Sequence, residues 1–419
     1  MIHGIIQYMN KGKRKNNAQK QGHKNTRIPV KKVFAFSPVI LLLILLVFLI
    51  YKHKPVVAFY GIQTNIRQEI MYSSFGKSSV QNSFRIVTLD PQKSLSSQIH
   101  WGRYPDIIFV YEGSSSTELS ERATPLDRDM MRSITPPIGQ SMHKGSKYYG
   151  LPVLLDHFEM AADKQVLLQN RGRQPATMDE LVRIAQGLKG PGYWPVLCAG
   201  GQDDDLLLFI GSITEARYGP EGWNTLTGKL KQNSNFSYLL KNTALKSVLD
   251  ELVHWQTSGI LHPEWYRMTD HDLQAVLATK SCAFVFMPLS THRTLPRDFL
   301  ENYRESPIPG NGTKPRMYSM PTLIGILPAK AFPSKKAREF LCSLIETDRQ
   351  TDLAGRTGLA PVCSMAQTKD RQASDLRFWA SSAQALVGDP ANAAFDNPKQ
   401  RAAFSRDIRE YLKTGGTGY

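Results

Sequence analysis

Short apolar runs of β-forming residues alternate with helix-like segments along most of the chain. Pro55 to Tyr60, Arg85 to Leu89 and Pro105 to Tyr111 are three such runs, each followed by a more polar stretch. That alternation predicts a mainly parallel α/β sheet. Helices are marked by their caps and stripes. Thr177-x-x-Glu180 is a capping box that opens a helix over Met178–Leu188, with Gly190 and Gly192 closing it. Leu245, Val248, Leu249, Leu252 and Val253 form an apolar helical stripe that ends at Gly259. Ser334 caps a helix carrying Ala337, Phe340, Leu341 and Leu344, Cys282 to Met287 reads as a strand, and a last helix covers 401–413.

One run breaks the pattern. From Val33 to Tyr51 nothing is charged, and Val39 to Ile50 is unbroken apolar sequence. Nineteen helical residues span roughly 28 Å, close to the hydrocarbon thickness of a bilayer. Residues 1–32 carry nine Lys or Arg and no Asp or Glu, so the positive-inside rule puts the N-terminus in the cytoplasm and the body outside. The long basic lead, and the lack of a small-x-small site after the run, favour an uncleaved signal-anchor over a cleaved signal peptide. The expected layout is a basic cytoplasmic tail (1–32), a transmembrane helix (33–51) and an extracytoplasmic, periplasmic body held close to the cytoplasmic membrane.

Charge then reads differently. The formal +16 falls to an excess of five from Pro55 onward, where 41 basic residues face 36 acidic ones. A nucleic-acid surface is not indicated. The four cysteines have no CxxC or metal-ligand spacing and sit in apolar sequence, as core residues do. Zinc-protease, nucleophile-elbow, Walker and dinucleotide-binding motifs are absent. Asp203-Asp204-Asp205 lacks the alternating ligands of a calcium loop and reads as the acidic start of a helix. His157 and His254 read as core or surface histidines. No catalytic residue, metal or cofactor is expected.

Eight segments occur in an order that carries more than any of them alone. They are Tyr104-Pro-Asp-Ile-Ile-Phe-Val110, Ala123-Thr-Pro-Leu-Asp127, Tyr149-Gly-Leu-Pro-Val153 with Asp156 and Ala161-Ala-Asp-Lys164, and Pro175-Ala-Thr-Met-Asp-Glu-Leu181. Gly259-Ile-Leu-His-Pro263, Thr279-Lys-Ser-Cys-Ala-Phe284, Leu323-Ile-Gly-Ile-Leu-Pro328 with the Ser334 helix, and Thr357-Gly-Leu-Ala-Pro361 follow. Together, over roughly residues 55–415, they resemble the family 1 extracellular solute-binding proteins of ABC importers, the maltose-binding-like group.

The resemblance implies a two-lobed periplasmic-binding-protein fold with three crossing segments. Residues 55–154 plus 329–359 would form one lobe, and 158–325 plus 361–419 the other. It implies a non-catalytic importer subunit that closes on a small polar solute, a carbohydrate by preference, and presents it to permease subunits. A sensor or interaction protein built on the same fold is the alternative. Ligands of open α/β sheets bind beyond the carboxyl ends of strands, which selects Gln63, Thr64, Tyr111, Glu112 and Ser114. Asp156 falls, by resemblance, where the crossing segment offers a carboxylate to sugar hydroxyls. Tyr111, Tyr193, Trp194 and Trp379 are the candidate aromatic platforms. Ser290 stands where the family often reads G-x-W, and Val110 where a sugar-stacking Trp occurs.

Overall fold

The computed structural model describes the chain from Lys54 to Gly418. Residues 1–53, 73–82, 92, 100–104, 113, 220–221, 223–227, 230–234, 242, 280–281, 307, 312–317, 330–333, 371–372, 375–394, 396–397 and 419 lie outside the described residues. The expected tail and membrane run are thus outside them. Among the described residues no helix is long and apolar enough to cross a membrane.

The three opening apolar runs form β1 (Val56–Tyr60), β2 (Arg85–Leu89) and β3 (Ile107–Tyr111). β1 pairs parallel with both neighbours, the arrangement that helical crossovers impose. Apart from a small hairpin of His143–Lys144 with Lys147–Tyr148, the other strands are β4 (Leu151–Asp163), β5 (Val196–Cys198), β6 (Phe284–Pro288), β7 (Tyr303–Ser306), β8 (Tyr318–Ile326) and β9 (Ala360–Pro361). All nine join one sheet of order β2-β1-β3-β8-β4-β6-β5, with β7 and β9 also paired to β4. Cys282 and Ala283 fall just before β6 rather than within it.

β4 organises the molecule. Its 13 residues extend about 43 Å. Leu151 to Leu155 pair with β8 and β9, β8 runs on to His157 and Phe158, and Phe158 to Asp163 pair with β6 and β7. The apolar side chains divide at the same place. Leu151, Val153, Leu154 and Leu155 join a cluster with Val57, Phe59, Phe109 and Ile324. Phe158, Met160 and Ala162 join another with Leu206, Phe209, Leu249, Trp255 and Phe286. A smaller layer holds Ala161, Val285, Met287, Phe299 and Tyr303. Asp156 and His157 sit on β4 between the two large clusters.

The helices follow from their signals. α1 (Thr64–Tyr72) and α2 (Ser114–Ser120) follow β1 and β3. α3 (Met178–Leu188) starts where Thr177 Oγ1 accepts the Glu180 N–H at 3.2 Å. The Glu180 carboxylate reaches past the Thr177 N–H of the expected box to the Ala176 N–H at 2.8 Å. α4 (Asp203–Tyr218) is buried from Leu206 to Ala216, a stretch mostly apolar but holding Ser212, Thr214 and Glu215. α5 (Ala244–Thr257), the single-turn α6 (Leu289–His292), α7 (Lys335–Ser343), α8 (Thr347–Thr357) and α9 (Pro398–Thr414) complete the set used below. Gly325 lets α7 lie directly on β8. A Cβ there would run into Leu341 and stand 3.1 Å from Phe109. Cys198, Cys282 and Cys363 are buried, Cys342 is half-buried, and none is disulfide-bonded.

Candidate ligand site

Four of the expected residues meet where the two large clusters abut. β1 delivers Gln63 just past its carboxyl end, and β3 ends on Tyr111. β4 supplies Asp156 from its middle, and α6 supplies Ser290. The Tyr111 hydroxyl donates to Gln63 Oε1 at 3.2 Å, and Gln63 Nε2 donates to Ser290 Oγ at 3.2 Å. A primary amide suits this position because it accepts on one arm and donates on the other. Asp156 Oδ1 accepts the backbone N–H groups of His157 at 2.8 Å and Ser290 at 3.1 Å. Asp156 and Ser290 are each 1% exposed.

Burial sets the electrostatics. It raises Asp156 to a pKa of about 6, against the lowering pull of the Ser290 hydroxyl, the His157 charge and the two N–H donors. Tyr111 is pushed well above the ordinary phenol range, first by burial and then by the Asp156 charge. The node is therefore one carboxylate among neutral hydroxyl and amide groups, a donor–acceptor set matched to a polyol.

The remaining expected residues are placed differently. The Glu112 backbone N–H donates to the Thr322 carbonyl at 3.0 Å, and its carboxylate accepts from the Thr322 N–H at 3.5 Å. Its charge adds to burial in raising the Tyr149 hydroxyl, so it acts on the first cluster's side of the node. Thr64 is exposed and accepts from Arg67 within α1 at 2.6 Å, and Ser114 is the first residue of α2. Tyr193 and Trp194 precede β5, so they lie at its amino end, level with Ala162 and Phe284. That is six strand residues from Asp156 along β4, some 20 Å away. Trp194 packs on His262 there, at 4.3 Å between ring centroids, and is not brought to the node. Trp379 lies outside the described residues.

In the acidic run at the start of α4, Asp203 and Asp204 pair with arginines. Arg409 holds Asp203 at 2.6 Å, and the buried Arg401 bonds to Asp204. Arg409 also donates to the Gly200 and Gly201 carbonyls, tying α9 to the turn after β5. α9 packs as well against α2, on the other side of the node. His157, read as a core or surface histidine, is a core one, and it forms a buried group directly behind Asp156 with Glu159 and His292, which the sequence did not single out. The available signal was Asp156-His-Phe-Glu159, in which period-two spacing puts His157 and Glu159 on one face of an otherwise apolar strand.

No family model and no curated protein matches this sequence. Solved structures do match its fold. A chitin oligosaccharide binding protein aligns with a TM-score of 0.67 at 14% identity, over 87% of this chain and 94% of its own. The bacterial solute receptor AcbH, with a preference for β-D-galactopyranose, aligns at 0.70 and 12% identity over 86% and 94%. An ABC transporter solute-binding protein from Thermotoga lettingae, bound to α-D-tagatose, aligns at 0.64 and 14% over 87% and 95%. The chain has the two-lobed α/β fold of these solute receptors. At such identities the likeness is one of fold, and the fold expectation drawn from the eight ordered segments agrees with it.

Proposed function

We propose that this chain is the extracytoplasmic solute-binding subunit of an ABC importer, taking a sugar or related polyol between its lobes. The observation that carries the reading is the Gln63–Tyr111–Asp156–Ser290 network, a polar node at the junction of two apolar clusters. The fold neighbours named above include receptors for galactose, tagatose and chitin oligosaccharide, which supports a carbohydrate ligand. In this reading residues 55–154 plus 329–359 form one lobe and 158–325 plus 361–419 the other. Hinge rotation about β4, β8 and β9 opens and closes the cleft. Residues 33–51 anchor the protein in the cytoplasmic membrane, and permease subunits receive the solute. No bond is made or broken.

A sensor or interaction role on the same fold is the second reading. One observation favours it: Gln63 and Ser290 hydrogen-bond directly across the node, so its polar groups satisfy one another. A thermal-shift screen of the full-length protein against sugars, polyols, amino acids and short peptides separates the two. Ligand at about 100 times its Kd adds about 2.7 kcal/mol of stability. A saturable rise with one sugar class, lost in Asp156→Ala, supports the binding subunit. No rise across the whole panel from a folded sample rejects it in favour of the sensor.

A further inference from the structure

Behind Asp156, on the other face of β4, three ionisable side chains are sealed inside the protein. His157 Nε2 lies 3.3 Å from Glu159 Oε2, and His292 Nδ1 bonds to Glu159 Oε1. Their exposures are 0%, 0% and 1% for His157, Glu159 and His292. An isolated carboxylate at that depth would take up a proton. Burial does push Glu159 that way, yet the His292 charge and the bonds from both imidazoles hold its pKa down to about 2. His292 Nε2 has no hydrogen-bond partner among the described residues. Because an ionised carboxylate only accepts, His292 Nδ1 carries the proton that Glu159 receives.

The two imidazoles belong to the two segments that frame Asp156. His157 is the next residue on β4, and its backbone N–H is one donor to the carboxylate. His292 closes α6, whose Ser290 N–H is the other donor. α6 has four residues, too few to hold a helical turn by its own hydrogen bonds. It is fixed from outside. Leu289 is sunk in the first cluster, His292 is tied to Glu159, and Arg293 just beyond bonds to Glu305 at 2.8 Å and Asp370 at 2.9 Å. Ser290 lies between these ties, receiving Gln63 and donating to Asp156.

We propose that Glu159 is a positioning residue of the candidate site, clamping α6 through His292 and β4 through His157 so that both backbone donors converge on Asp156. The proposal deepens the reading of the Asp156 node as a binding site and rests on it. Glu159 touches no ligand. It sets the geometry of the groups that do, and Ser290, which joins Gln63 to Asp156, depends on it most.

Amide hydrogen exchange on the full-length protein tests this without any ligand. In Glu159→Gln and in His292→Leu, the Ser290 amide is expected to exchange at least tenfold faster, while Phe209 in α4 and Leu249 in α5 keep their wild-type rates. His292→Asn keeps a donor near the Nδ1 position and is expected to restore protection. Losing the Ser290 donor also removes a group that favours the ionised carboxylate, so the Asp156 titration followed by carbon NMR moves upward in Glu159→Gln. Unchanged Ser290 exchange in both variants overturns the proposal, and so does an equal rise at all three amides. If one variant fails to fold, the other and the His292→Asn rescue still decide. A parallel titration with maltose, D-galactose and D-tagatose judges the binding reading separately. The exchange result stands whether or not wild type binds these sugars, so the two failures are distinguished.

Discussion

A buried carboxylate is tolerable only where donors surround it, and Asp156 is arranged in that way by the backbone N–H groups of His157 and Ser290 and by the Ser290 hydroxyl. The donors do not fully offset burial, because its pKa still rises to about 6. The sign of the resulting linkage is fixed. Asp156 is more easily protonated folded than unfolded, so its favourable contribution is complete below the unfolded pKa near 4 and is lost as pH rises to 6. Asp156→Asn is therefore expected to raise stability above pH 6, by up to about 3 kcal/mol, and to flatten the stability–pH profile between pH 4 and 6. Denaturant titrations at stepped pH measure this. The same variant is expected to weaken sugar binding at least tenfold, since a neutral amide replaces a charged acceptor. Stability would then be given up for binding at this one position. Asp203 and Asp204 at the start of α4 make the contrast, for each is paired with an arginine of α9.

Elements were legible wherever a local signal fixes them. β2 was read to the residue, and the Thr177 cap and the Ser334 cap act as expected. Thr177→Ala is expected to cost about 1 kcal/mol, read as a lower melting temperature with sugar affinity unchanged. What the local signal does not contain is which end of a strand faces the node. Tyr193 and Trp194 were attractive as rings, yet they lead into β5 rather than leave it, and only the carboxyl end of a parallel strand opens on the cleft. The His157–Glu159–His292 group was hidden for a related reason. Two of its members are visible in β4, but the third lies 133 residues from Glu159, and only the pairing of β4 with β6 brings it near. Gly358 ends α8 with φ 71°, and a Cβ there would meet Arg293 Nε at 2.9 Å. Gly358→Ala is thus expected to destabilise the protein by about 1–2 kcal/mol and to disturb the Arg293 tie beside α6, seen as faster Ser290 exchange.

At the scale of the molecule, the order of eight weak motifs predicted a two-lobed α/β fold that periodicity cannot, and the likeness to solved solute receptors agrees with it. The two apolar clusters part between Leu155 and Phe158, so the polar node occupies the place where relative motion of the two halves would be felt first. A ligand held by Gln63 and Tyr111 from one side and Ser290 from the other would replace their mutual hydrogen bonds with its own hydroxyls. The most direct test is a calorimetric titration of the full-length protein with the sugar that gives the largest thermal shift, repeated on Gln63→Ala. The account predicts saturable one-to-one binding whose affinity falls at least tenfold in the variant. Equal affinity in wild type and Gln63→Ala, or no binding heat from any sugar, would contradict it.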